Sequence, residues 1–155
     1  MQIDAERSPQ IRAVIQTIAG LPTEMRKQIR QHAKRIVQPE WQKALREEAP
    51  PDRIFHDRLV TPSAAYVSDR NIRLRSGKAG KFPRETEFGA YRDELNTYSN
   101  RRGTRIYRHT QRQFWHFVKV GRVAFPAARD IIPRIGALWV QTTVRTIHEI
   151  IEKVL

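Results

Sequence analysis

The chain contains no cysteine, which excludes disulfide staples and thiolate metal sites and leaves the redox compartment open. It has no apolar run near the ~18 residues that a spanning helix requires, so no membrane segment is expected. No charged-then-apolar stretch opens the chain, so no secretory leader is expected either. Acidic residues are scarce. The 16 Asp and Glu face 29 Lys and Arg, a formal net charge of +13. From Arg70 to Arg84 there are six basic residues and no acid, and from Ser99 to Arg122 seven basic residues and no acid.

Catalytic patterns are scarce too. The five histidines, His32, His56, His109, His116 and His148, form no His-Glu-x-x-His pattern or other tight ligand cluster. No serine sits in a Gly-x-Ser-x-Gly elbow. Gly77-Lys78-Ala79-Gly80-Lys81 superficially suggests a phosphate-cradling loop. It lacks the full spacing, and Phe82 stands where a magnesium-binding hydroxyl belongs, so an ordinary basic turn between two strands is expected. Glu85 and Glu87 would share one face of a strand, and such a pair more often balances nearby arginines on a solvated face than performs acid–base work. No enzyme activity, catalytic residue, metal or cofactor is therefore expected.

What is present is periodicity. The 155 residues suffice for one domain with a real core and are too few for two. Ser8-Pro9 predicts an N-cap and first helical proline, followed by Ile11, Val14, Ile15 and Ile18 at helical spacing and a stop at Gly20. Leu21-Pro22 opens a long helix ending at Ala49-Pro50-Pro51. Its apolar face is Met25, Ile29, Ala33, Ile36, Val37, Trp41, Ala44 and Leu45, and its basic face is Arg26, Lys27, Arg30 and Lys34. Pro39 clashes with the Arg35 carbonyl and predicts a kink, not a break, because the stripe continues in phase. Ala65–Val67 and Ile72–Arg75 flank the turn residues Ser68-Asp69-Arg70-Asn71 and predict a β-hairpin. A third strand is expected over 82–90, a partly extended excursion over 91–114, and a last strand over 114–120. Asp130 is the expected N-cap of a terminal helix reaching Leu155. Its stripe runs through Ile132, Ile135, Trp139, Thr143, Ile147, Ile150 and Val154.

The expected architecture is thus α+β, with two long amphipathic helices packed on a small, mainly antiparallel sheet and a long loop excursion. One domain spans 1–155: a short helix over 1–20, a long helix over 21–49, the sheet and loop over 64–120, and a helix over 130–155. Of the 29 basic residues, 22 are arginine, the residue better suited than lysine to fixed, bidentate ion pairs. The basic runs single out Arg73, Arg75, Lys78, Lys81, Arg101, Arg102, Arg105, Arg108 and Arg112 as candidate interface or DNA-channel residues. The second run is interleaved with Tyr107, Phe114, Trp115 and Phe117. Arginine and aromatics grip phosphates and bases, and they are also enriched at protein interfaces. The second reading is preferred.

Taken in order, these pieces resemble the small neck proteins of long-tailed bacteriophages, the tail-completion or head–tail joining proteins. Four places carry the resemblance: the Leu21-Pro22 start of a basic amphipathic helix ending at Ala49-Pro50, the strand region after it, Glu87-Phe88-Gly89, and Phe125-Pro126-Ala127-Ala128 ahead of the C-terminal helix. The 91–117 segment is longer than that pattern provides. The resemblance implies structural roles for Glu87, Phe88, Gly89, Phe125, Pro126 and Ala127, with Trp139 in the core. It implies a virion protein made in the host cytoplasm, with no catalytic role and no cofactor. Its copies would form a homo-oligomeric ring around the DNA channel of the neck. Its partners would be a connector, adaptor or stopper protein on the head side and a tail terminator or tail tube on the tail side, with non-specific DNA in the channel and no membrane. The alternative is a stand-alone basic nucleic-acid-binding protein.

Overall fold

A 26-residue helix, α2 (Thr23–Glu48), forms the centre of the molecule. In the computed structural model the described residues are 2–3, 9–90, 95–109 and 114–154. Helix α2 buries Ile29, Ala33, Val37, Trp41, Ala44 and Leu45, six of the eight positions its spacing marks out, and it runs unbroken through Pro39. On one side it packs along the C-terminal helix, α5 (Ala124–Val154). On the other it meets strand β2 (Ala64–Val67), which pairs antiparallel with β3 (Ile72–Arg75). Strand β1 (Gln2–Ile3) adds to the far edge of β3, giving the order β1-β3-β2. Helix α1 (Pro9–Ala19) lies against α5, and a single-turn helix, α3 (Arg53–Phe55), follows α2. Its expected N-cap, Ser8, lies outside the described residues. Among the described residues no helix is long and apolar enough to cross a membrane.

Polar contacts fix α2 between its neighbours. The Gln38 side chain completes the open edge of β2: Oε1 accepts from Ala65 N at 2.6 Å and Nε2 donates to the Ser63 carbonyl at 3.3 Å. Trp41 Nε1 donates to the Arg75 carbonyl at 2.9 Å. Asp69, in the β2–β3 turn, reaches Arg30 at 2.6 Å and Arg26 at 3.6 Å, so part of the basic face of α2 is neutralised within the subunit. Toward α5, His32 Nδ1 lies 3.1 Å from Thr146 Oγ1, and Arg134 pairs with Glu40 at 3.1 Å. Trp41 and Trp139 are the largest fully buried side chains, each worth about 1.5–3 kcal/mol or more of transfer free energy.

Five expectations are corrected. Residues 82–90 form no strand: Pro83–Phe88 is a six-residue helix, α4. Pro83 occupies its first turn, where a missing N–H costs nothing, and Thr86 donates both its backbone N–H and its hydroxyl to the Phe82 carbonyl, at 2.9 and 2.7 Å. The 77–81 loop therefore joins β3 to a helix, not to a strand. Residues 114–120 form only a single parallel bridge, Ala90 to His116. The supposed excursion contains a second hairpin, β4 (Leu95–Ser99) paired with β5 (Arg105–His109). Helix α5 begins at Ala124, six residues before Asp130, which is exposed on its second turn.

Candidate functional site

The start of α5 is built around a carboxylate that comes from elsewhere in the chain. The first turn of any helix leaves backbone N–H groups without intrahelical partners. Here Ala127 N donates to the Val123 carbonyl, so Val123 is the cap residue and Ala124 the first helical one. Glu87 supplies the missing acceptors. Its Oε1 accepts from Arg122 N at 3.1 Å, Val123 N at 3.2 Å and Phe125 N at 3.0 Å. Its Oε2 accepts from Ala124 N at 2.9 Å and Val123 N at 3.2 Å. The next residue, Pro126, has no N–H to satisfy. Every donor of the first turn is thus matched, and a negative group sits at the positive end of a 31-residue helix dipole.

This overturns the expectation of a solvated carboxylate pair. Glu87 is 3% exposed and Glu85 half-buried, and Glu87 serves backbone amides, not arginine side chains. Gly121 lets the carboxylate in, because a Cβ there would overlap Glu87 Oε1. Phe88 packs on Phe125 with ring centroids 5.1 Å apart. At Gly89 the φ of 77° suits only glycine, and a Cβ would run into the carbonyls of Trp115 and His116. That approach lets Ala90 N donate to the Trp115 carbonyl at 3.0 Å and Val118 N to the Phe88 carbonyl at 2.7 Å. Ala127 and Ala128 are buried. Glu87-Phe88-Gly89 and Phe125-Pro126-Ala127, 35 or more residues apart in sequence, are therefore one junction. Trp139 lies away from it, about 20 Å further along α5 at ~1.5 Å per residue.

The basic candidates fall in three places. Arg73 and Arg75 alternate with buried Ile72 and Leu74 and occupy the exposed face of β3, where Arg75 lies 5.5 Å from the Tyr66 ring. Lys78 and Lys81 are exposed in the 77–81 loop. Arg101, Arg102, Arg105 and Arg108 are exposed on the β4–β5 ribbon. Arg112 lies outside the described residues. Asn100 builds the ribbon's turn. Its Oδ1 accepts from Arg102 N at 2.9 Å and Thr104 N at 3.0 Å, and its own N–H and carbonyl pair with Thr104 and Gly103. Gly103 takes the left-handed conformation, with φ 76°. Leu95, Tyr98 and Tyr107 are exposed on the same ribbon. Among the described elements neither strand packs substantially on anything but the other. Among the described residues none of the four ribbon arginines pairs with a carboxylate.

Two features have no counterpart in the sequence reading. In the groove between α2 and α5, Arg145 Nε donates to Glu149 at 2.8 Å. That bond holds the Glu149 carboxyl below the usual carboxylate range, assisted by the charges of Arg145, His32 and Lys153. Arg122 donates to the His116 carbonyl while its Nε is buried without a partner among the described residues. No three His, Asp or Glu side chains among the described residues could together hold a metal ion. The described residues present a buried junction at the start of α5 and an exposed cationic ribbon. Compared with known protein families, curated proteins and solved structures, the chain matches none.

Proposed function

We propose that this chain is a structural protein of the neck of a long-tailed bacteriophage. In this reading its copies form a ring between the DNA-filled capsid and the preassembled tail. The observation that carries the reading is the Glu87 junction. Two short motifs, each a separate element of the family resemblance, meet as a single buried joint in which a carboxylate caps a helix N-terminus. Their order in the chain thus acquires a common physical reason. The fold fits a load-bearing role, since the two longest helices are packed along each other and cross-tied to a sheet. The exposed ribbon fits docking, because four arginines without counter-ions among the described residues and three apolar or aromatic side chains are exposed on it. An acidic protein surface supplies what they lack, and arginine suits such fixed pairs.

The test is the variant Arg101→Glu, Arg102→Glu, Arg105→Glu in a phage that carries this chain. Filled heads and complete tails should accumulate unjoined, while the purified variant keeps the circular dichroism of the parent. A normal yield of infectious particles contradicts the docking role. The ribbon also favours one other reading, a stand-alone nucleic-acid-binding protein, because Tyr98 and Tyr107 stand among arginines as base-stacking residues do. That reading requires tight duplex or single-strand binding by the isolated chain, with affinity falling steeply as salt rises.

A further inference from the structure

We propose that the β4–β5 ribbon of one copy docks on the acidic corner of the next copy, formed by the end of α2 and the segment after it. The proposal rests on the ring reading and names the two surfaces that make the contact. The corner is the counterpart of the ribbon in charge. Glu47, Glu48, Asp52 and Asp57 are all exposed; over residues 46–58 they stand against Arg46, Arg53 and Arg58, the last turned to Thr86 and the Phe82 ring, in a chain whose net charge is +13. Lys43 and Arg53 approach Glu47 and Asp57, at 3.9 and 3.2 Å. Among the described residues no cation pairs with Glu48 or Asp52.

The corner is also apolar where the ribbon is aromatic. A cleft of about 440 Å³ opens beside Asp52, lined by Pro50, Phe55, Trp115, Val118 and Arg122. Trp115 stacks on Phe55 with centroids 4.7 Å apart yet keeps about a third of its surface exposed, and Val120 nearby in sequence is exposed. The buried Nε of Arg122, which has no acceptor among the described residues, belongs to the same cleft. Against this the ribbon offers the exposed rings of Tyr98 and Tyr107, two phenol oxygens and four guanidinium groups.

The ribbon itself needs such a cover. A lone two-stranded hairpin is marginal in water, and among the described residues both outer edges of this one are unpaired. Ribbon and corner are different patches of one surface, so in a ring each copy gives its ribbon to one neighbour and its corner to the other, a head-to-tail contact. Repeated contacts of that kind close into a ring when the rotation permits.

Charge exchange tests the pairing. The ribbon variant is Arg101→Glu, Arg102→Glu, Arg105→Glu, and the corner variant is Glu47→Arg, Glu48→Arg, Asp57→Arg. Asp52 is kept because its Oδ1 accepts from Ile54 N. Self-association of the full chain is measured by sedimentation at rising concentration, with thermal melts to establish that each variant is folded. Each variant alone should associate at least about tenfold more weakly than the parent, since like charges then face each other. An equal mixture should recover parental association, because each ribbon again meets a corner of opposite charge. Two weakened variants whose mixture stays weak overturn the proposal, as does a corner variant that associates normally. If, with that normal corner variant, the ribbon variant fails in the phage, the neck reading stands and the ribbon docks on a different ring. A parent chain that never associates overturns the proposal and leaves the neck reading to particle imaging. Loss of duplex DNA binding by the ribbon variant with unchanged self-association overturns it in favour of the nucleic-acid reading.

Discussion

Replacing Glu87 with alanine is expected to cost at least about 3 kcal/mol of folding stability, the largest effect of any single polar substitution in this chain. The estimate follows from what would be stranded. Four backbone N–H groups, those of Arg122, Val123, Ala124 and Phe125, now donate to one carboxylate that is 3% exposed. Leaving one buried donor unsatisfied costs about 1–3 kcal/mol, and bonds to charged groups lie at the upper end of the scale. Water can recover part of the loss for Arg122 and Phe125, which are not buried, but not for Val123. The matching glutamine keeps the shape and one acceptor, but turns an amide donor toward other donors, so Glu87→Gln should also destabilise. Glu85→Ala, two residues away and making no cap, should cost no more than about 1 kcal/mol. Thermal melts separate the cases, since a loss of 3 kcal/mol corresponds to roughly 6–12 °C in a domain of this size. Equal small shifts for Glu85→Ala and Glu87→Ala would return Glu87 to the solvated pair that its alternation with Glu85 suggests.

Trp139→Ala should cost about 3–5 kcal/mol, a large part of the ~5–15 kcal/mol that holds a domain together. Trp139 is 0% exposed in the core on α5, the helix that packs along α2, and its removal leaves a cavity in a close-packed interior. One detail sharpens the expectation. The indole Nε1 is buried with no hydrogen-bond partner among the described residues, so the native side chain carries a desolvation cost. Trp139→Phe removes that cost along with part of the ring and should destabilise far less than alanine. Denaturant unfolding of both variants checks the ranking. Similar losses for phenylalanine and alanine would mean that the indole N–H is satisfied, and a trivial loss for alanine would mean that the α2–α5 contact is not the core.

How far the fold was legible depended on whether the signal was local. Helix α2 was readable because Leu21-Pro22 and Pro50-Pro51 bracket it and the Ile29–Leu45 stripe within it is buried at helical spacing. The β2–β3 hairpin was readable because Ile72 and Leu74 alternate with arginines and Ser68–Asn71 is turn chemistry. The start of α5 was not. Asp130 offers a cap signal on the chain itself, whereas the true cap is a side chain 37 residues before Ala124. The turn and a half before Asp130 buries Ala124, Ala127 and Ala128, small residues that make a faint stripe. The β4–β5 ribbon was illegible for a different reason. It is exposed on both faces, so no hydrophobic alternation exists to be seen, and only the Asn100 and Gly103 turn marks it. Helix α4 has six residues, too few to display a period of 3.6.

The sequence singled out the residues of the candidate site one by one but not their relations. Arg101, Arg102, Arg105 and Arg108 are exposed on one ribbon. The motif residues Glu87 and Phe125 were singled out separately, and only the folded chain brings them into contact. A carboxylate serving a distant helix end has no fixed spacing to its donors, and so leaves no pattern that can be read along the chain.

The most direct test of the neck reading is an image reconstruction of the neck of a phage particle that contains this chain. The account predicts a closed ring of copies around the DNA channel, between the head connector and the tail tube, with each ribbon resting on the Glu48–Asp52 corner of the next copy. A single copy per particle, or the absence of the chain from complete particles, would contradict it.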